Sequence, residues 1–476
     1  MAKKIVALLL VLMIALCSMT SCFIVINNTK KKGDGGSEAQ TNAPMPEIPP
    51  KVDVFGEAQK QAEDILSKDF SEIDMKEQTF NFVIGDDTGF YIQAEQETSY
   101  SKALAIQKNL ISSKLKCDFY INVVSYGTLL SDAQAAKNAG LFYADLVCVP
   151  QKAVGYMRSQ GMIYNLSELY GDDFNEEYFY SEAKNASMGG NAYYAVAGDA
   201  SVTPASYYCV YFNKSIADQS GITGEIYDLV EEGNWTIDKM FEMKAKCSSA
   251  TPAAMGLVSD DTQLLVSSLY GGFGLKYTNT AIDAKPTLAA NSESLSSFVS
   301  KLQEHITSGN IAYNDEMFSV FMSDGALFYI DTLGRSIDIG TAYGIVPLPK
   351  LNAEDKYVTP TTSNSKVFVV LTTNNHPENV PQVLKAINAT GKLVQIGWAR
   401  DLLDYAFCDS RSYKMAELIF ENLSYDFAYM YGGSYTSVAD STYKALEDVV
   451  MNGAKYDDLV KKASTQFGKD IDSLFP

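Results

Sequence analysis

Between Thr79 and Pro150 the chain switches repeatedly between two hydrophobic periods, and this constrains its fold more than any other feature. "TFNFVIG", 79–85, alternates and then turns wholly apolar, as a buried strand does. "SYSKALAIQKNLISSKL" follows, with Ala103, Ile106 and Leu110 at i, i+3 and i+7, the spacing of one helical face. "CDFYINVVSY" reads as a second strand, "LSDAQAAKNAG" as a helix ended by Gly140, and "ADLVCVP" as a third strand. Strand, helix, strand, helix, strand implies a mostly parallel sheet with helices on its faces.

The same signals recur downstream. Tyr207 to Asn213 is a strand candidate, and "NWTIDKMFEMKAKC" a helix with Thr236 as N-cap. "ALFYID" and "SKVFVVLTT" are later strands. "STYKALEDVVMNGAKYDDLVKKASTQF" is helical, with Tyr443, Leu446 and Val450 on one stripe and Gly453 as a break. No internal repeat is visible. Of the 476 residues, roughly 400 follow the N-terminal segment, enough for two domains. With 46% hydrophobic and 20% charged residues, the composition is that of a globular chain.

Lys3 and Lys4 precede "IVALLLVLMIALC", the basic and apolar regions of an export signal over residues 1–21. "MTSC" then resembles the bacterial lipobox, which implies a lipidated Cys22 as the first residue of the mature chain. Met19 stands where Leu is usual, and Cys17 fits worse because Leu16 before it is not small. The alternative is an uncleaved transmembrane anchor, since Ile5 to Ile26 is long enough to span about 30 Å of hydrocarbon. Both readings leave the body outside the cytoplasm on a polar, Gly- and Pro-rich tether, Asn27 to Pro50.

A net charge of −20 and a pI near 4.6 disfavour nucleic acid, whose phosphates need Lys and Arg. The five body cysteines (Cys117, Cys148, Cys209, Cys247, Cys408) form no CxxC pair and read as small buried hydrophobes. Only His305 and His376 are available for a metal centre or a catalytic triad, so no metal or cofactor is expected. No phosphate loop, dinucleotide fingerprint, nucleophile elbow or HExxH is present. The paired aspartates of "GDDTG" and "YGDDF" read as turn chemistry. With no nucleophile-and-base set, the chain reads as a binder and not an enzyme.

Four blocks, in order, resemble the bacterial extracellular solute-binding lipoproteins of ABC importers, in their sugar-binding class. They are "ADLVCVPQKAVGYMRSQGMIYNLSELY", "GGNAYYAVAGDASVTPASYYCVYFNKSI", "VEEGNWTIDKMFEMKAK", and "FSVFMSDGALFYIDTLGR" with "YGIVPLPKLNAEDKYVTPT". "CDSRSYKMAELIFENLSYDFAYMYG" is similar to a late helix in lipoproteins of this type from Gram-positive bacteria. The resemblance covers Thr79 to the C-terminus. It implies an α/β, type II periplasmic-binding-protein-like fold, with two α/β lobes, a hinge and an interlobe cleft. Chain crossings would fall near Ser201 to Ser206, Asp331 and Asn374. Residues 22–78 would be linker and lead-in, 79–203 plus 331–374 the first lobe, and 206–329 plus 375–476 the second.

The implied function is capture of a carbohydrate, an oligosaccharide by expectation, by hinged lobe closure and delivery to a membrane permease. The protein would be a monomer on the outer face of the cell membrane. A binder of another solute, a peptide or a polyamine, is the alternative, and a surface glycan-active enzyme a further one. Ligands sit beyond the carboxyl ends of parallel strands, which points to Asp86, Asp87 and Gln151. Asp199 and Ser201 lie at the first crossing, and Asp331 and Arg335 at the second. Gln263 and Tyr270 occupy a loop–helix region with an aromatic contact in the family, and Tyr429 and Tyr431 the late helix. At each position a structural role competes: Asp199 as hinge brace, Arg335 as partner of Asp331, both late tyrosines as core. Trp235 and Trp398 read as core.

Overall fold

The alternating segments form the first sheet of a computed structural model. It describes residues 54–70, 74–76, 78–86, 98–189, 191–247, 254–280, 285–289, 293–403, 409–432, 438–453 and 455–474. Cys22 and the rest of the leader, Asp87 and Cys408 lie outside these residues. Strands β1 (Thr79–Gly85), β2 (Asp118–Val124) and β3 (Leu146–Pro150) run parallel. β1 is central, and its last four residues are buried, as a strand covered on both faces requires. β2 is an edge strand and alternates exposed with covered positions along its first half.

The helix Ser99–Leu115 begins on Thr98, whose hydroxyl accepts the Ser101 N–H at 3.0 Å. The next free N–H groups, Ser99 and Tyr100, each donate to the Asp401 carboxylate at 2.8 Å. That acid lies in the last turn of the helix Gly391–Leu403, so one side chain satisfies orphan donors and faces the positive helix end. Gly397 lets the two helices close up: a Cβ there would lie 2.9 Å from Tyr100 Cα.

The second sheet comprises β4 (Tyr208–Asn213), β5 (Met255–Ser259), β6 (Ile311–Tyr313), β7 (Ala326–Thr332) and β8 (Tyr343–Val346), in the order β8-β4-β7-β5-β6. β5 runs parallel to β6 and β7, whereas β4 is antiparallel to both of its neighbours. Trp235 is fully buried here and donates from Nε1 to Pro347 O at 3.0 Å. Thr236 caps the helix Ile237–Cys247 by accepting the Lys239 N–H. The helices Val438–Asn452 and Tyr456–Leu474 are separated at Gly453, whose φ is +65°. Cys117, Cys148, Cys209 and Cys247 are buried and unbridged.

Two of the three expected crossings are corrected. The chain does not leave the second sheet near Asp331. Past the 3-10 turn Leu333–Asp338 it returns as β8, whose four buried residues pair with Val210 to Asn213. It stays there through Lys350, which bonds to the Trp235 carbonyl. Residues 351–365 make the crossing, and β9 (Lys366–Val369) then joins the first sheet antiparallel to β3. Nor is there a crossing near Asn374. Its side chain donates to Asp145 O at 2.8 Å, and the helices Val380–Ala389 and Gly391–Leu403 cover the first sheet's helix Ser99–Leu115. From Asp409 on, the chain is with the second sheet: Ser412 Oγ accepts the Ile345 N–H of β8.

Gly391 shows how close the packing is behind the first crossing: a Cβ there would sit 2.5 Å from Ala200 N and from Asp199 Cβ. Gly391→Ala is expected to lower unfolding free energy by about 1–3 kcal/mol in urea titration. Gly468, helical with nothing within 4 Å of its Cβ position, serves as control, and Gly468→Ala should raise it by about 0.5–1 kcal/mol. Equal effects would contradict the packing described.

Candidate functional site

The carboxyl ends of β1 and β3 present Asp86 and Gln151 at one end of the first sheet. Asp86 is 1% exposed and its carboxylate lies 3.3 Å from Lys366 Nζ, itself 2% exposed. Two charges held this deep are tolerated only as a pair. Gln151 is equally buried, donating from Nε2 to Thr361 Oγ1 at 3.0 Å and Thr362 O at 2.6 Å. Both expected residues therefore reach the sheet end, where Lys366 at the start of β9 engages Asp86 and the second crossing engages Gln151. Beside them Lys152, half-buried, donates to Asn364 Oδ1 at 2.7 Å and lies 5.8 Å from the Tyr126 ring centre.

The second sheet ends in carboxylates and rings. Asp331, at the end of β7, accepts the Thr332 N–H at 2.6 Å and the Tyr329 hydroxyl at 2.7 Å. Burial raises its pKa above the ordinary carboxylate range, which those hydrogen bonds and Arg335 oppose. Arg335 Nη2 donates to Asp260 at 3.0 Å and Nη1 to Asp338 at 3.3 Å, while its Nε stands 3.6 Å from Asp331. The guanidinium lies 4.0 Å from the Phe318 ring centre.

Tyr208 opens β4 opposite Thr332 in the ladder and remains half-buried. Burial, with Tyr277, Asp331 and Asp261 as electrostatic neighbours, makes its phenol a weaker acid than usual. Tyr429, also half-buried, meets the Tyr277 ring edge to face at 5.8 Å, and Tyr277 stacks on Tyr270 at 4.8 Å. Asp331, Arg335 and Tyr429 thus come together at this end with Tyr208, Tyr277, Asp260 and Asp261. Gln263 is exposed in the first turn of the adjoining helix Thr262–Gly272.

The other expected residues sit differently. Asp199 accepts from the Tyr180 hydroxyl at 2.8 Å and Gln395 Nε2 at 3.0 Å, tying the first crossing to the helix Gly391–Leu403. Ser201 is buried and closes the turn onto Gly198 N and O. Tyr270 is 2% exposed and donates to Lys276 O at 2.8 Å. Tyr431 is fully buried and donates to Ser187 O at 2.8 Å. The sequence pattern does not single out Tyr208, Tyr277, Asp260 or Asp261. "MGLVSDDT" carries a signal for the two aspartates, a short apolar run ending in acids, which is β5 and the turn after it.

Among the described residues no cluster of His, Cys, Asp and Glu could hold a metal ion, and no helix is long and apolar enough to cross a membrane. No protein-family model and no curated protein matches the chain. Solved structures do. The cyclic alpha-maltosyl-1,6-maltose binding protein of Arthrobacter globiformis matches 83% of this chain and 99% of its own, at 12% identity and a TM-score of 0.56. The sugar-binding protein MalE of Xanthomonas citri matches 83% and 98%, at 9% identity and 0.53. The GacH receptor of Streptomyces glaucescens, solved unliganded and with acarbose, matches 83% and 99%, at 12% identity and 0.50. At these identities the likeness is one of fold: the chain has the type II periplasmic-binding-protein-like α/β architecture of these sugar-binding proteins.

Proposed function

We propose that the protein captures an oligosaccharide between its two sheets and delivers it to an ABC permease, as a lipoprotein on the outer face of a single-membrane cell. The observation that carries this reading is the group of rings and carboxylates at the end of the second sheet, within a fold shared with proteins solved as sugar binders. A sugar offers apolar ring faces and hydroxyl edges. Tyr208 and Tyr429 supply aromatic faces and phenols, and Asp261 and Asp331 accept hydroxyl hydrogens. Arg335, held by three aspartates, fixes the carboxylates and limits their net charge, which suits a neutral ligand better than a polycation.

Asp331 is engaged by Tyr329, Thr332 and Arg335, and on this reading the ligand leaves unmodified. A micromolar dissociation constant corresponds to about −8 kcal/mol, within reach of a few such contacts. At a hundredfold excess over that constant, ligand stabilises the fold by about 2.7 kcal/mol. A panel of maltose- and mannose-type oligosaccharides is therefore expected to raise the melting temperature, and Tyr208→Ala to weaken binding at least about tenfold. A panel without effect, or saturable heat from spermidine in titration calorimetry, would replace sugar with another solute.

The anchor rests on "MTSC" and on the need to stay near a permease. Wild-type cells fed a labelled fatty acid should label the protein, and Cys22→Ala should lose the label and be shed into the medium. An unlabelled wild type with a membrane-bound Cys22→Ala would establish the transmembrane anchor instead.

A further inference from the structure

Residues 22–78 read as linker and lead-in, yet Val54–Asp69 form a helix of 16 residues. It buries Ala58, Ala62 and Leu66, at i, i+4 and i+8, each 5% exposed or less. Ala58 and Ala62 pack with Ala103 of the helix Ser99–Leu115 and with Leu393 of the helix Gly391–Leu403, both fully buried. Glu57, Lys60, Glu63, Asp64 and Lys68 stay in water on the other side. The helix is thus docked on the first sheet's outer layer by a small-residue stripe.

Contacts at both ends fix its direction. The Phe55 ring centre lies 5.2 Å from the Arg400 guanidinium. Arg400 adjoins Asp401, whose carboxylate holds the Ser99 and Tyr100 N–H groups. Phe55 therefore sits beside the start of the helix Ser99–Leu115. At the far end the Met75 N–H donates to Leu115 O at 2.9 Å, and Lys116 Nζ reaches Asp74 at 2.8 Å. The two helices run side by side in the same direction. Ser99–Leu115 follows β1 and precedes the parallel β2, so it starts at the carboxyl end of the strands, where Asp86 and Gln151 lie.

A chain entering directly at Thr79 would arrive at the amino end of β1, away from the candidate site. The helix spans about 24 Å at 1.5 Å per residue, and β1 about 23 Å at 3.3 Å per residue. The helix carries the point of entry back along the whole strand. The geometry points to a positioning role for Val54–Asp69: it brings the membrane-attached segment out at the site end of the first sheet, so that this end is held toward the membrane and its permease. This rests on the reading of the residues before Val54 as a membrane attachment, lipid or transmembrane, and not on the ligand being a sugar.

Full-length protein, purified with its anchor and reconstituted in phosphatidylcholine vesicles that carry a lipid-borne quencher, tests it. A fluorescent amino acid is encoded at Thr128 or at Leu141, both exposed. Thr128 is in the first turn of the helix Tyr126–Ala139, after the carboxyl end of β2, and Leu141 lies beyond that helix, before the amino end of β3. The two positions are about 20 Å apart, so the Thr128 label should be quenched at least about twofold more strongly than the Leu141 label. Ala62→Glu sets a carboxylate against Leu393; it should open Lys60 to trypsin and bring the two signals together. Equal quenching in the wild type, or stronger quenching at Leu141, overturns the role, and this result requires no variant to fold. A difference that persists in Ala62→Glu once Lys60 is cleavable assigns the orientation to another contact and overturns it equally. Absence of sugar binding alongside the expected quenching faults the sugar reading alone, whereas a protein that does not stay with the vesicles removes the anchor and the positioning role together.

Discussion

The junction at Tyr207 is the constraint on which the arrangement of the two sheets depends. Its backbone bridges to Thr361 of the second crossing, and its carbonyl accepts the Leu333 N–H at 2.9 Å. Its phenol, fully buried, accepts the Thr203 N–H at 2.9 Å. One residue earlier, Ser206 O accepts the Thr362 N–H at 3.3 Å. Gly334 fits against Ala205, where a Cβ would come within 2.9 Å of Ala205 Cα. Two crossings and the turn after β7 are thereby locked at one point. β4 starts at the next residue, and since side chains alternate along a strand, burying Tyr207 sends Tyr208 to the other face, level with Thr332 in the ladder.

The two ends of the candidate site differ in charge economy. At the first sheet the buried pair of Asp86 and Lys366 neutralises itself, and removing one partner would leave an uncompensated charge at a cost of about 3–5 kcal/mol. At the second sheet, one arginine answers three aspartates, and Tyr329 and backbone N–H groups engage two of them further. The first end is closed by its own chain, whereas the second retains half-buried rings and an exposed Asp261. A ligand's specific contacts are accordingly assigned mainly to the second sheet.

Local pattern made the first sheet legible. β1 and the helix Ser99–Leu115 fall where their periods place them, because alternation and i, i+3, i+7 spacing are short-range signals. Strand partners are not short-range. "YGIV" stands out as a block, yet its pairing with Val210 to Asn213 spans more than a hundred residues, and the resemblance places it with the first sheet instead of the second. The site was legible to the same degree. Position at strand ends brought out Asp86, Gln151 and Asp331, while the partners that engage Asp86 and Gln151 come from residues 361–366. Tyr429 and Tyr431, two residues apart, face different sides of the interface. Only the packing of Gly155 and Ser187 against one of them decides which.

The central claim is that the rings and carboxylates of the second sheet hold a sugar. A crystal structure of the protein with an oligosaccharide from the panel tests this most directly. The account predicts sugar electron density against Tyr208 and Tyr429, with hydroxyls on Asp261 or Asp331. Density elsewhere on the molecule, or a charged solute in that place, would contradict it.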